Sequence, residues 1–219
     1  IGSHIVDKLI KQGVEVTILD DLSTGKKENI NPKAKFHNVD ISKLRPADYV
    51  LFEGVDVVFH LAALARIQPS FTNPNPTFDS NMKGTQKVLE YARENKTPVI
   101  YAGSSSTHGG VYKNPYTFSK WVGEELCKMY SQVYDVPTII TRFYNVYGDH
   151  MIPGDSAYST VVQIFDEQYA ANKPLTVTGD GEQRRDFTYV GDVVEANIKA
   201  GFSKIKWNGD IFNIGKEHF

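Results

Sequence analysis

Val99-Ile100-Tyr101-Ala102-Gly103 runs directly into the hydroxyl series Ser104-Ser105-Ser106, and Tyr116-Thr117-Phe118-Ser119-Lys120 follows a short loop later. The first run is apolar, partly β-branched and closed by small residues, which predicts a buried strand. From 116 to 134 the apolar positions recur every three or four residues, which predicts a helix, and 138–141 reads as the next strand. Strand, helix and strand in that order predict parallel pairing, with helices covering both faces of the sheet.

The same rhythm extends outward. Strands are expected over 14–19, 35–39 and 55–60, and helices over 2–11 and 79–94. Beyond Arg142 it loosens into a helix over 159–171, a short strand over 175–178 and a helix over 190–202. These later elements are expected to form a small second lobe. No internal repeat or low-complexity linker appears, so the two lobes should be interleaved. The chain opens at a helix start without the strand that would feed it and closes near Gly215, so both termini are expected to be incomplete.

The chain has 219 residues, enough for one large core or a core plus a small cap. A formal charge of -2 with scattered Lys and Arg gives no electrostatic footprint for nucleic acid. No apolar run approaches the ~20 residues of a membrane span, and no signal-like segment opens the chain, so a soluble, cytoplasmic protein is expected. The single cysteine, Cys127, cannot form an internal disulfide and reads as a small buried hydrophobe in a reducing compartment. His4, His37, His60, His108, His150 and His218 lack paired ligand spacing, so no metal is expected.

Tyr116 and Lys120 are four apart and share one helical face. A tyrosine with its usual pKa of ~10 is a poor base at neutral pH, and lowering it by about three units requires ~4 kcal/mol of differential stabilisation. The Lys120 charge is expected to supply part of that stabilisation. Alone, such a pair is more often a solvated surface pair than a proton relay. The order of the surrounding motifs decides for the relay.

Together these residues resemble the extended short-chain dehydrogenase/reductase family, in its NAD-dependent nucleotide-sugar epimerase and dehydratase branch, over nearly the whole length. The resemblance implies an α/β Rossmann-type doubly wound parallel sheet with a small interleaved substrate lobe. An NAD-binding domain would span 1–143, with 187–206 packing back on it, and 144–186 with 207–219 would form the substrate lobe. Ile1 and Gly2 stand where the family's glycine-rich turn ends, at a helix N-terminus suited to pyrophosphate. Asp20, about 20 residues on, would accept bonds from the adenosine ribose and repel a 2'-phosphate, which favours NAD. Asp21, Ser23 and Thr24 resemble the adenosine-side loop, and Asp40 with Ile41 the pair that brackets adenine. Leu61, Ala62, Ala63 and Ala65 would let the cofactor lie against the backbone, and Asn81 matches a family asparagine near it.

The catalytic trio implied is Ser104, Tyr116 and Lys120, the last two also touching the cofactor. Ser105 exchanges with Ser104 if the alignment slips by one residue. Phe143 would flank the nicotinamide, Ser105 and Asn145 would meet the sugar, and Arg185 would reach a substrate diphosphate with its rigid donor fork. His108 replaces a usual tyrosine, and the loop between Gly109 and Tyr116 is shorter than in relatives. The resemblance implies a 4-epimerase of a nucleotide sugar, UDP-linked, passing through a 4-keto sugar and forming a homodimer. A 4,6-dehydratase or decarboxylase of the same fold is the nearest alternative. Ser105-Ser106 stand where dehydratases carry an acidic pair. A nonenzymatic NAD(P)-binding regulator is the alternative of another class, and the intact trio argues against it.

Overall fold

The computed structural model describes residues 1–154, 156, 157, 159–204 and 207–215, and the structural statements below concern these. In chain order they form α1 (Gly2–Lys11), β1 (Thr17–Asp20), β2 (Lys35–Asn38), β3 (Val58–His60), α2 (Ile67–Thr72) and α3 (Pro74–Phe78). These are followed by α4 (Gly84–Asn95), β4 (Val99–Ser104), α5 (Pro115–Tyr134), β5 (Thr138–Phe143) and β6 (Val146–Tyr147). The last elements are α6 (Val161–Ala170), β7 (Thr188–Tyr189), α7 (Val190–Gly201) and β8 (Asp210–Ile214).

Every strand pairing is parallel: β1 with β2, the central order β3-β4-β5-β8, and β6 with β7. Parallel sheets need cover on both faces, and the cover is provided. On one face Leu89 and Ala92 of α4, with Cys127 and Tyr130 of α5, pack on Val99, Tyr101 and Ile140. On the other, Val190, Val194 and Ile198 of α7 meet Ile5 and Leu9 of α1, with Phe59 and Leu61 against them. The chain therefore has the expected α/β Rossmann-type architecture.

Several boundaries differ from the sequence reading for local reasons. The strand predicted from 14 begins at Thr17 because Gly13, at φ +80°, and Val14 close α1, the Val14 amide donating to the Leu9 carbonyl at 3.1 Å. The helix predicted over 79–94 is split. Asp79–Lys83 is a π-turn, and regular α4 begins at Gly84.

Residues 175–178 form no strand. The Thr176 amide donates to Gln168 Oε1 at 3.0 Å, and Gln168 Nε2 donates to Thr176 Oγ1 at 2.7 Å, so a side chain of α6 replaces a partner strand. Of 207–219, expected in the small lobe, Asp210–Ile214 pairs with β5 in the central sheet. Residues 216–219 of that segment, and 205 and 206 of the segment 187–206, lie outside the described residues.

Candidate active site

Because the strands of the central sheet are parallel, β3, β4 and β5 all deliver their carboxyl ends to one edge. Such edges are where open α/β sheets place ligands. β4 ends at Ser104 and β5 at Phe143, and these two residues are register partners. α5 starts beside them. The Asn114 side chain caps it by accepting from the Thr117 amide at 2.8 Å, and Pro115 occupies its first position. Ser70, fully buried on α2, accepts from the Tyr116 amide at 3.1 Å and donates to the Ile67 carbonyl at 2.6 Å. The first turn of α5 is thus fixed from both sides.

The result is a close hydroxyl pair. Tyr116 Oη donates to Ser104 Oγ at 3.3 Å, and Ser104 Oγ lies 2.9 Å from Ser106 Oγ. Lys120, 4% exposed, places its ammonium 4.2 Å from the centre of the Tyr101 ring. Burial lowers its pKa to about 8, against the pull of Glu124. Burial raises the Tyr116 phenol, while the Ser104 hydrogen bond and the Arg66 charge draw it down. Arg66, from the loop after β3, contributes a cation that draws the phenol down, and the Lys120 ammonium lies over the ring of Tyr101.

On the nucleotide side, Gly2 opens α1 with open space where a Cβ would stand, no atom coming within 4 Å of that point, and no side chain caps this helix start. Asp20 ends β1 with Oδ1 accepting the Leu22 amide at 2.7 Å, and Gly25 packs so that a Cβ there would sit 3.4 Å from the same oxygen. Asp21 accepts the Ser23 amide at 2.9 Å, shaping the exposed turn toward Thr24. An open helix start and a strand-end carboxylate suit the pyrophosphate and ribose of a dinucleotide.

Asp40 and Ile41 stand in a short turn after β2. Asp40 accepts the Ser42 amide at 3.0 Å and the Ser42 hydroxyl at 2.7 Å, and pairs with Lys43 at 2.9 Å, capping a short 3-10 turn. The Ile41 side chain is buried in a core cluster with Leu44, Phe52 and Val88.

Leu61, Ala62, Ala63 and Ala65 follow β3, and Asn81 fixes their loop. Asn81 Oδ1 accepts the Leu64 amide at 2.8 Å, while Nδ2 donates to the Leu64 carbonyl at 3.1 Å and to Ser119 Oγ at 3.0 Å. Asn81 lies within the π-turn and is buried. Single π-turns within helices recur at functional sites. Asn81 therefore holds the loop to α5 through bonds within the protein.

On the other side a cavity of about 230 Å³ is lined by Arg66, Asn145, Thr160, Arg185 and Phe187. Asn145, at φ +32°, donates to the Asp186 carbonyl at 2.8 Å. The cavity gathers Asn145 and Arg185 with Arg66. His108, in the place usually taken by tyrosine, receives a hydrogen-bond partner in Tyr144 Oη at 2.8 Å. Ser70, Arg66 and Glu124 escaped the sequence reading, and Ser106 and Arg142 were not assigned the contacts they make here. Glu124 alone had a legible signal, since it lies one further turn along the Tyr116 and Lys120 face.

The sequence model of the NAD dependent epimerase/dehydratase family matches residues 1–215. The chain belongs to the NAD-dependent epimerase/dehydratase family. Among family relatives, a Methanocaldococcus jannaschii protein named "Putative UDP-glucose 4-epimerase" is 41% identical, over 98% of this chain and 73% of the relative. The UDP-N-acetyl-alpha-D-glucosaminuronate decarboxylase of Bacillus cytotoxicus is 32% identical, over 99% and 72% respectively. The crystal structure of Thermotoga maritima UDP-glucose 4-epimerase with UDP-glucose matches this family member with a TM-score of 0.89 at 31% identity, covering 98% of this chain and 73% of that one.

Proposed function

We propose that this protein is an NAD-dependent nucleotide-sugar 4-epimerase acting on a UDP-sugar. The observation that carries this reading is the Tyr116–Ser104 hydroxyl pair at the carboxyl edge of the sheet. It is supported by the epimerase names among the relatives and by the family's NAD dependence. Gly2 and Asp20 would hold the pyrophosphate and adenosine ribose, and the loop after β3 would lie along the cofactor. Bound NAD supplies a reversible hydride acceptor.

Tyr116 then removes the C4 hydroxyl proton as the C4 hydrogen leaves with its electron pair, giving a 4-keto sugar, and Ser104 shares the hydrogen bond. Lys120 and Arg66 keep positive charge near the phenol. Arg185 forks onto the diphosphate, which is the pivot about which the keto sugar turns, while Asn145 and Phe143 line its path. Return of hydride to the opposite face, with Tyr116 giving its proton back, inverts C4 without net redox change.

A decarboxylase is the second reading, favoured by the Bacillus cytotoxicus relative. Ser105 and Ser106 in place of acidic residues weigh against a dehydratase. The test is incubation with UDP-, GDP- and dTDP-sugars, with products identified by mass and NMR. An epimerase leaves mass unchanged and inverts C4. Loss of carbon dioxide or water from the preferred substrate would overturn the assignment.

The reading includes a cytoplasmic homodimer. Its support is the lone buried Cys127, the outer aromatic cluster of Phe78, Tyr112, Phe118 and Trp121, and the exposed Met129 and Val133 of α5. Among the described residues no helix is long and apolar enough to cross a membrane. Sedimentation showing only monomer at micromolar protein would contradict the dimer.

A further inference from the structure

Among the described residues Glu124 is the one fully buried carboxylate in direct contact with the site, its side chain 0% exposed. It sits one helical turn beyond Lys120 and two beyond Tyr116, on the same face of α5. Both of its oxygens are engaged by Arg142 of β5: Nε donates to them at 3.0 and 3.1 Å, and Nη2 donates to Oε2 at 2.5 Å. Oε1 also accepts the Ser104 amide at 3.4 Å. The carboxylate occupies a space reserved by Gly103, where a Cβ would fall 2.7 Å from Oε1 and 2.9 Å from Arg142 Cγ. One side chain thus joins the helix bearing Tyr116 and Lys120, the strand end bearing Ser104, and β5.

We infer that Glu124 is a positioning residue for the reaction: its carboxylate, one helical turn from Lys120, balances the buried ammonium, and its bonds to Arg142 and the Ser104 amide set the spacing between α5 and β4. The catalytic part of this inference rests on the epimerase reading. Replacing a buried charged partner is costly because the other charge is left unpaired.

The groups facing Lys120 are Tyr101 of β4, His60 of β3, and Cys127 and Glu124 of α5, with Arg142 of β5 behind Glu124. Tyr116 additionally faces Arg66. His60, Tyr101 and Cys127 are buried and neutral near pH 7, burial lowering the imidazole pKa to about 3 and raising the phenol and thiol above their ordinary values. Glu124 is therefore the anion that favours the Lys120 ammonium, and Arg142 is the cation paired with it. Glu124 also raises Lys120 in opposition to burial, which holds it to about 8.

The test is a carbon-13 NMR titration of the protein labelled at lysine Cε, with the Lys120 resonance identified by its absence in Lys120→Arg. Glu124→Gln is expected to lower the Lys120 midpoint by a pH unit or more. Arg142→Gln, which bares the carboxylate, is expected to raise it, and Glu124→Asp to stay near wild type. Opposite movements cannot arise from general loosening of the fold. In activity profiles, the alkaline limb should move to lower pH in Glu124→Gln and return in Glu124→Asp. If Glu124→Gln fails to fold, the rise in Arg142→Gln carries the test. Unmoved midpoints, or movement of both variants in one direction, would overturn the inference. Opposite NMR shifts with no epimerised sugar in the wild type would instead sink the epimerase reading and leave the charge assignment intact.

Discussion

The Tyr116 hydroxyl donates to Ser104 Oγ at 3.3 Å, across the gap between the first turn of α5 and the last residue of β4. This bond links a titratable oxygen to a second hydroxyl that can share a proton in transit. Tyr116→Phe keeps the ring and removes the oxygen, and turnover should fall by at least about a hundredfold with cofactor binding largely retained. Ser104→Ala should reduce turnover less, because Tyr116 remains. Near-normal turnover of Tyr116→Phe, measured at saturating sugar nucleotide, would remove Tyr116 from the mechanism.

The strand-end carboxylate of Asp20 should set cofactor choice. Asp20→Ala deletes a ribose acceptor and relieves repulsion of a 2'-phosphate, so NAD affinity should fall more than NADP affinity. Calorimetric titration of both cofactors into wild type and variant checks this. Equal losses would contradict the assignment.

Gly123 allows α5 to lie close to β4. A Cβ there would fall 2.1 Å from Tyr101 Oη and 2.5 Å from its Cζ. Overpacking of this kind costs ~1–3 kcal/mol, so Gly123→Ala should lower the thermal midpoint. It should also lower turnover, because the helix that must shift carries Tyr116 and Lys120. A variant as stable and active as wild type would show that the helix spacing is not tight.

How much was legible in the sequence follows from what each residue's neighbours impose. α1 appeared over its full length because Ile5 and Leu9 mark its buried face, and β4, α5 and β5 were outlined by their apolar runs. The segment 175–178 has strand-like residues but lies beside Gln168 with no partner strand, and pairing is a tertiary fact. Spacing put Lys120 on the Tyr116 face but could not show that its ammonium would settle over Tyr101. Spacing places Glu124 on the Tyr116 face but carries no sign of its burial, because only the arrival of Arg142 from β5 makes that burial tolerable.

His60 should dominate one part of the acid response. It is buried, with Nε2 2.9 Å from Thr85 Oγ1, and burial with the nearby Lys120 charge lowers its pKa to about 3 from 6.5. Between those values the unfolded chain binds a proton that the folded chain does not, so stability rises with pH across the window and is lost as pH falls through it. Urea unfolding at pH 7 and pH 4.5 should show this loss, and His60→Gln should reduce its pH-dependent part. The same slope in both proteins would assign the acid sensitivity elsewhere.

The central claim is that hydride leaves C4 and returns to C4 of the same sugar while Tyr116 handles only the proton. A UDP-sugar carrying deuterium at C4, turned over by the protein with its bound NAD and no added cofactor, measures this directly. The account predicts the inverted sugar with deuterium retained at C4 and no net NADH in solution. Loss of the label to solvent, or stoichiometric release of NADH, would contradict it.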